Sequence, residues 1–248
     1  MLSILMPVYN ELGTVEQAIN EVLATELPTE IELIVVDDGS TDGTRELLGS
    51  KEWPSAVTVL HHERNAGKGA AVLTALQHAG GEFAAIFDAD LEYDPGDLPA
   101  LLEPIRRGHA DAVYGSRFQG GPHRVLFFWH AVGNHFLTLM SNMFTNLNLS
   151  DMETCYKLVR RELLLRLPLT SDRFGFEVEL TARLSQVGAR IWELPISYSG
   201  RTYAEGKKIG WRDGVRAMFC IAAYAPLGER LHIKRLSPLV GRLTRGRA

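Results

Sequence analysis

Phe83-Ala84-Ala85-Ile86-Phe87-Asp88-Ala89-Asp90 decides the fold class of this chain. The apolar run from Phe83 to Phe87 predicts a buried strand, and Pro95 after Asp94 predicts the start of a helix. Asp88 and Asp90, at i and i+2, leave the strand on one side and converge beyond its C-terminal edge. Ligands of open α/β sheets bind at that edge. Two carboxylates with open positions suit Mg²⁺ or Mn²⁺, which keep waters and take the rest of their shell from substrate phosphates. One acidic pair at a strand end is equally ordinary cap chemistry, so the remaining loops have to decide.

Working outward, strands are predicted over 3–8, 31–36, 57–61, 83–87 and 112–115, and helices over 14–24, 43–49, 68–78 and 95–107. Alternation of this kind implies an α/β fold, a mostly parallel sheet with right-handed crossovers. The pattern loosens after Gly120. Residues 125–149 read as one or two amphipathic helices, 160–167 and 176–187 as further helices, and 190–198 as a strand.

Four polar loops then fall at strand C-termini. They are Pro7-Val8-Tyr9-Asn10-Glu11, Val35-Val36-Asp37-Asp38-Gly39-Ser40-Thr41-Asp42-Gly43-Thr44, Asn65-Ala66-Gly67-Lys68-Gly69 and Asp88-Ala89-Asp90. Tyr9 offers a stacking face and Glu11 an acceptor for a base or ribose. Lys68 and the amides around it open a helix, a natural place for phosphate. Each loop alone can be read as turn and cap chemistry. Four on one edge are harder to read that way.

Composition narrows the class. A chain of 248 residues with two cysteines, Cys155 and Cys220, has room for one large α/β domain and has neither a disulfide framework nor metal-type cysteine spacing. A reducing compartment is expected. Met1-Leu2-Ser3-Ile4 lacks a basic leader, so no signal peptide is expected, and no stretch of about 18 apolar residues stands out as a membrane span. Net charge is −4, yet residues 201–248 hold eleven Lys/Arg against three Asp/Glu while residues 1–200 hold fifteen against twenty-seven. An acidic body with a basic C-terminal part points to an anionic partner there, such as lipid or a phosphorylated substrate. A solvated tail is the plain alternative. Nucleic acid is disfavoured, because the basic segment has little aromatic interleaving.

Competing motifs fail on their spacing. Gly67-Lys68-Gly69 is not a P-loop, the run from Asp88 has Tyr93 where an EF-hand needs Gly, and neither G-x-G-x-x-G nor G-x-S-x-G occurs in its required place.

The ordered set of loops resembles the family 2 glycosyltransferases of the GT-A fold, most closely the branch of dolichyl- and polyprenyl-phosphate sugar synthases. Gly115-Ser116-Arg117-Phe118, the stretch from Ser150 to Lys157, Phe174-Gly175-Phe176-Glu177 and the stretch from Gly200 to Lys208 extend the resemblance over about nine-tenths of the chain. It implies that Pro7, Tyr9, Glu11 and Asp38 hold the base and ribose of a UDP- or GDP-sugar, with Lys68 in the nucleotide-side loop. Asp88 would sit near ribose or metal, Asp90 would be the surest ligand of Mg²⁺ or Mn²⁺, and Glu92 could complete the shell. Arg117, Arg201 and Lys207 match basic positions for a polyprenyl phosphate acceptor, with Arg124 in support. Such an acceptor is already an anion and needs no strong base, whereas a hydroxyl acceptor would recruit Asp151 or Glu153. With a lipid acceptor, Glu153 would orient the sugar or the acceptor.

One-step displacement predicts inversion at the anomeric carbon. The resemblance further implies that 125–149 lies on the membrane surface, joined by the basic run containing Arg230, Lys234, Arg235, Arg242, Arg245 and Arg247. A catalytic unit over 1–210 and a membrane-surface tail over 211–248 are expected, on the cytoplasmic face, with docking unaided or through a membrane-protein partner. Two rivals stay open: a non-processive enzyme acting on a saccharide hydroxyl, and a non-catalytic nucleotide-sugar-binding subunit. A processive synthase and a nucleotidylyltransferase are disfavoured, since Q-x-x-R-W and an N-terminal G-x-G-T-R loop are missing.

Overall fold

The computed structural model describes residues 1–125, 127–173, 175–206 and 211–224, apart from the side chains of Tyr203, Trp211 and Arg212. In chain order the elements are β1 (Leu2–Val8), α1 (Val15–Ala24), β2 (Ile31–Asp37), α2 (Thr44–Ser50), β3 (Val57–His61), α3 (Lys68–His78), β4 (Phe83–Ile86), α4 (Leu98–Arg106), β5 (Ala112–Ser116), α5 (Phe128–Thr145), β6 (Lys157–Arg160), α6 (Arg161–Arg166), α7 (Phe176–Gln186), β7 (Ile191–Pro195) and α8 (Trp211–Tyr224). Lys207 and the basic run from Arg230 to Arg247 lie outside the described residues.

Seven strands form one sheet in the order β3-β2-β1-β4-β6-β5-β7. All run parallel except β6, which is antiparallel to both β4 and β5. The α/β expectation holds, but β6 was not foreseen. It has four residues, and its first, Lys157, is fully buried, so neither length nor polarity marks a strand. The Lys157 ammonium donates to the carbonyls of Met152 and Thr154 and sits 4.7 Å from the centre of the Tyr114 ring. Hydrogen bonds of this kind are what make a buried charge tolerable. The reversal matters for function: residues ahead of β6 meet the same sheet edge as residues following the parallel strands.

Side-chain alternation explains the layers. Leu2, Ile4, Met6 and Val8 of β1 face a core shared with Val15, Ala18, Ile19 and Val22 of α1 and with Leu98, Leu101, Leu102 and Ile105 of α4. Those helix residues recur at i, i+3, i+4 and i+7, the spacing of one buried face. Leu5, Ile34 and Val36 face the other core, built by α3, α6, α7 and α8. Pro7, which has no N–H to give, falls beyond the end of β4, whose pairing with β1 stops at Leu5 and Ile86. The helix predicted over 95–107 is split. A 3₁₀ turn at Pro95–Asp97, capped by the Asp94 carboxylate on the Gly96 amide, precedes α4. Pro99 lacks the N–H that a continuous α-helix would return to Pro95.

Residues 125–149 contain a single 18-residue helix, α5, ended by Asn146 at φ 56°. Its inner face carries Leu137, Thr138, Ser141 and Thr145, and α8 packs beside it. Its outer face exposes Phe128, Trp129, Val132, Phe136, Leu139 and Met143, and α8 adds Val215, Met218 and Phe219. No helix among the described residues is long and apolar enough to cross a membrane.

The turn into α3 tolerates only glycine. Gly67 has φ 104°, and a Cβ there would run into the carbonyl of Asp172 and the side chain of Arg173. The Ala70 amide donates to that same carbonyl at 3.2 Å, fixing α3 against the segment ahead of α7. Gly67→Ala is expected to destabilise the fold by about 1 kcal/mol or more, lowering Tm by roughly 2 °C or more. A thermal melt indistinguishable from wild type would contradict this packing.

Candidate functional site

At the C-terminal edge the first two loops are stitched together. The Asn10 amide donates to Ser40 Oγ at 3.0 Å, the Thr41 amide to Asn10 Oδ1 at 2.8 Å, the Glu11 amide to Thr44 Oγ1 at 3.0 Å and the Leu12 amide to Asp42 at 3.2 Å. Asn10, at φ 53°, takes the left-handed conformation that Asn tolerates well. Pro7 and Tyr9 lead into this pair of loops, with Tyr9 39% exposed.

Asp38 is buried and serves the third loop. Its Oδ1 accepts the Ala66 amide at 2.9 Å and lies 2.7 Å from His62 Nδ1, while Oδ2 accepts the Gly67 amide at 2.7 Å. Three of the roughly four lone-pair sites of a carboxylate are thus taken. Asp38 braces the turn that presents Lys68 and keeps at most one position for a ligand.

Lys68 opens α3 and points across the edge. Its ammonium lies 2.8 Å from Asp88 Oδ2, 2.8 Å from Cys155 Sγ and 3.0 Å from Glu177 Oε1. Burial lowers its pKa, but the carboxylates of Asp88 and then Glu177 leave it well above the ordinary lysine range. Lys68 is charged.

The second acidic group gathers around Arg201, in the segment following β7. Its guanidinium meets Glu11 Oε2 at 3.1 Å, Asp90 Oδ2 at 3.1 Å and Glu92 Oε1 at 3.5 Å. Glu92 also anchors that segment: its Oε1 accepts the Arg201 amide at 2.8 Å, its Oε2 accepts the Tyr198 hydroxyl at 2.6 Å, and its carbonyl accepts the Ser199 amide at 2.8 Å. Three carboxylates therefore share one guanidinium. Burial first, then Asp88 and Glu92, push Asp90 up to about 7 against the pull of Arg201. A site with that surplus of negative charge fits a hard divalent cation. Among the described residues no three acidic, His or Cys side chains stand together as a ready-made cage. An ion here would draw the rest of its shell from phosphate and water.

The reversal at β6 brings in residues 149–155. Asn142 of α5 holds Leu149 by both its amide and its carbonyl, and Glu193 of β7 accepts the amides of Ser150 and Asp151 at 2.8 and 3.0 Å. Asp151 is fully buried and grips Arg117 in a fork, Nε to Oδ2 at 2.6 Å and Nη2 to Oδ1 at 2.7 Å. That geometry is the bidentate pair for which Arg is suited. Arg117 further lies 5.3 Å from the centre of the Tyr198 ring. Glu153 is turned inward, where its Oε1 is buried without a hydrogen-bond partner. Burial first, then Glu177, push it up to about 7, with Lys157 and Arg117 pulling the other way.

The residues predicted from sequence thus form two clusters on one edge: Lys68 with Asp88, and Arg201 with Glu11, Asp90 and Glu92. Arg117 stands beside the second through Tyr198. Arg124 is set apart, paired with Glu205 at 2.9 Å. Sequence reading gave no role to Glu177, Tyr198, Glu193 or His62. Glu177, between Phe176 and Val178, and Glu179, between Val178 and Leu180, share one sequence signal, an acid flanked by apolar residues.

Comparison with known proteins agrees with this geometry. The family model described as "Glycosyl transferase family 2" matches residues 3–167. An undecaprenyl-phosphate mannosyltransferase from Micrococcus luteus is 32% identical over 83% of this chain and 86% of its own length. A polyprenol monophosphomannose synthase from Mycolicibacterium smegmatis is 29% identical over 91% of this chain and 87% of its own. Among solved structures, glucosyl-3-phosphoglycerate synthase from Mycobacterium tuberculosis, in complex with Mn²⁺, UDP and glucosyl-3-phosphoglycerate, superposes with a TM-score of 0.70 at 21% identity, covering 91% of this chain and 80% of that one. That likeness is one of fold, the GT-A arrangement. The sheet, the four edge loops and the family match together make this chain a member of the family 2 glycosyltransferases.

Proposed function

We propose that the chain is an inverting transferase that moves a hexose from a UDP- or GDP-sugar to a polyprenyl phosphate at a membrane surface. The observation that carries this reading is the buried fork between Asp151 and Arg117. Asp151, one of two candidate bases, is spent on a guanidinium, and Glu153 faces inward. An acceptor that arrives as an anion needs no base. It needs cations, and Arg117 and Arg201 border the site, each with N–H donors beyond those already committed, since a guanidinium has five. The names of the two relatives carry the same acceptor class and support the reading.

Roles follow from position. Pro7, Tyr9 and Glu11 would hold base and ribose, with Asp38 bracing the turn that presents Lys68 and keeping at most one position for the nucleotide. Asp90, with Asp88 and Glu92 beside it, would hold Mg²⁺ or Mn²⁺, which supplies charge neutralisation for the departing diphosphate. Lys68 adds fixed positive charge on the same side, in the manner of preorganised electrostatic stabilisation. Arg117 and Arg201, joined by Lys207 from outside the described residues and Arg124 at the rim, would take the lipid phosphate. Attack by that phosphate on the anomeric carbon in one displacement inverts its configuration. Residues 1–210 would carry the chemistry, and 211–248 the contact with the bilayer.

The exposed aromatic face of α5, continued by Met218 and Phe219 of α8, would rest on the cytoplasmic leaflet. Membrane association is then peripheral, unaided or strengthened by a membrane-protein partner.

Two experiments test this. Purified protein with Mg²⁺ or Mn²⁺, a polyprenyl phosphate and a panel of UDP- and GDP-sugars should release nucleoside diphosphate only when lipid and metal are both present. Asp90→Asn should cut that release by at least about a hundredfold with folding intact. Release that requires a hydroxyl acceptor instead would overturn the acceptor assignment, and nucleotide binding with no turnover would favour the non-catalytic subunit. For the membrane face, Trp129→Glu combined with Phe136→Glu should weaken co-sedimentation with phosphatidylcholine–phosphatidylglycerol vesicles by about tenfold or more. Vesicle binding unchanged by the pair would rule out α5 as the docking surface.

A further inference from the structure

Of the two buried acids of α7, Glu179 is taken up by Thr170, Ser171 and Arg183, and Glu177 is left without a role by the reading above. It is the second residue of α7, is 4% exposed, and lies between Phe176 and Val178, both core residues. A carboxylate at that depth costs free energy unless it serves a partner. One oxygen, Oε2, has no hydrogen-bond partner, and the other lies 3.0 Å from the Lys68 ammonium. Glu153 and Lys157 also face it, and the Lys157 ammonium donates to the carbonyls of Met152 and Thr154.

The Lys68 ammonium donates to Asp88 Oδ2 and Cys155 Sγ and forms an ion pair with Glu177 Oε1 at 3.0 Å, the oxygen that also accepts from Cys155 Sγ at 3.9 Å. The three are not equivalent. Asp88 stands at the end of β4, open to the edge, and belongs to the carboxylates assigned to nucleotide and metal. Cys155 is a weak acceptor, and burial first, then Asp88, hold its thiol well above the ordinary range, so it stays neutral. Glu177 is the more deeply buried anionic contact, its side chain 6% exposed against 18% for Asp88. When a phosphate takes the donor now given to Asp88, Glu177 is the charge left to keep the ammonium in place.

We propose that Glu177 is a positioning residue for Lys68, holding its ammonium at the diphosphate end of the donor site independently of Asp88. The inference rests on the role proposed above for Lys68. It assigns α7, which packs in the same core layer as α3, to the donor side of the reaction.

The test is a double-mutant cycle read as binding of UDP and GDP with Mg²⁺ by titration calorimetry. Lys68→Met and Glu177→Gln should each weaken the bound nucleotide by about tenfold, the scale on which an outer partner usually tells. The double variant should bind within about twofold of Lys68→Met alone, because coupled residues do not add. Glu177→Asp, which keeps the charge, should recover part of the loss. If Glu177→Gln melts early, Glu177→Met has similar volume, leaves no unpaired buried oxygen, and carries the same expectation. Wild-type affinity in Glu177→Gln or Glu177→Met, or losses that multiply in the double variant, would overturn the proposal while leaving Lys68 its role. Wild-type affinity in Lys68→Met would remove the role of Lys68 and this inference with it. The Asp90→Asn experiment would still judge the transferase reading independently.

Discussion

Carboxylates crowded at the strand ends of a parallel sheet need countercharge, and the loops of this protein are organised by that requirement. Asp88 is met by Lys68, Asp151 by Arg117, and Glu11, Asp90 and Glu92 by Arg201. Asp38, near whose Oδ1 stands His62, also takes two backbone amides. Most partners are far apart in sequence, so each pair ties one edge loop to another. Lys68 joins the end of β4 to α3 and α7, and Arg201 joins the segment after β7 to the loops after β1 and β4. Partly buried pairs hold their geometry better than exposed ones, which are screened and conformationally costly. The rigidity of the edge is therefore an electrostatic property as much as a packing one.

That arrangement explains what was legible in the sequence. The alternation of apolar runs with helix-period segments gave five strands to within one residue at each end, and a sixth, 190–198, that runs three residues past β7 (Ile191–Pro195); the central parallel strands, buried on both faces, are continuous apolar words. Asp88, Asp90, Lys68 and Glu11 stood out because four polar loops fall on one sheet edge, although each loop alone reads as turn and cap chemistry. β6 was illegible for the opposite reason: it opens with a buried lysine satisfied by two carbonyls, a tertiary solution that no local pattern encodes. Asp151 was read as a possible base and Arg117 as a phosphate cation. Their mutual fork, between residues 34 positions apart, appears only once β5 and β6 are paired. Glu177 entered the sequence reading only as the end of Phe174-Gly175-Phe176-Glu177, and nothing local to that motif encodes where its carboxylate goes.

The antiparallel strand has a consequence for chemistry. In an all-parallel sheet every edge loop would follow a strand, and the residues preceding β6 would lie at the opposite end. Reversing one strand brings Ser150 to Tyr156 to the working edge, between the loop after β4 and the segment after β7. Glu193 of β7 and Asn142 of α5 hold that insertion by backbone amides. The apolar helix α5 is thereby fixed to the edge through the stretch it leads into. A membrane contact along its outer face would then sit within one connection of Asp151 and Arg117.

The same cations serve two states on the proposed reading. In the structure described, Lys68 and Arg201 neutralise the protein's own carboxylates; with donor bound, they would face phosphate. Charge placed in advance need not be assembled during the reaction, which is the physical basis of electrostatic preorganisation. Such exchange works only if each cation has an anchor that does not take part. Arg201 has one in the segment that carries it, where the Ser199 amide donates to the backbone carbonyl of Glu92 at 2.8 Å. Lys68, on a long flexible stem, has no comparable backbone tie through its side chain. On the same proposed reading, the buried Glu177 carboxylate, 3.0 Å from the ammonium, would supply what the stem lacks and offset the desolvation cost of an acid at position 177.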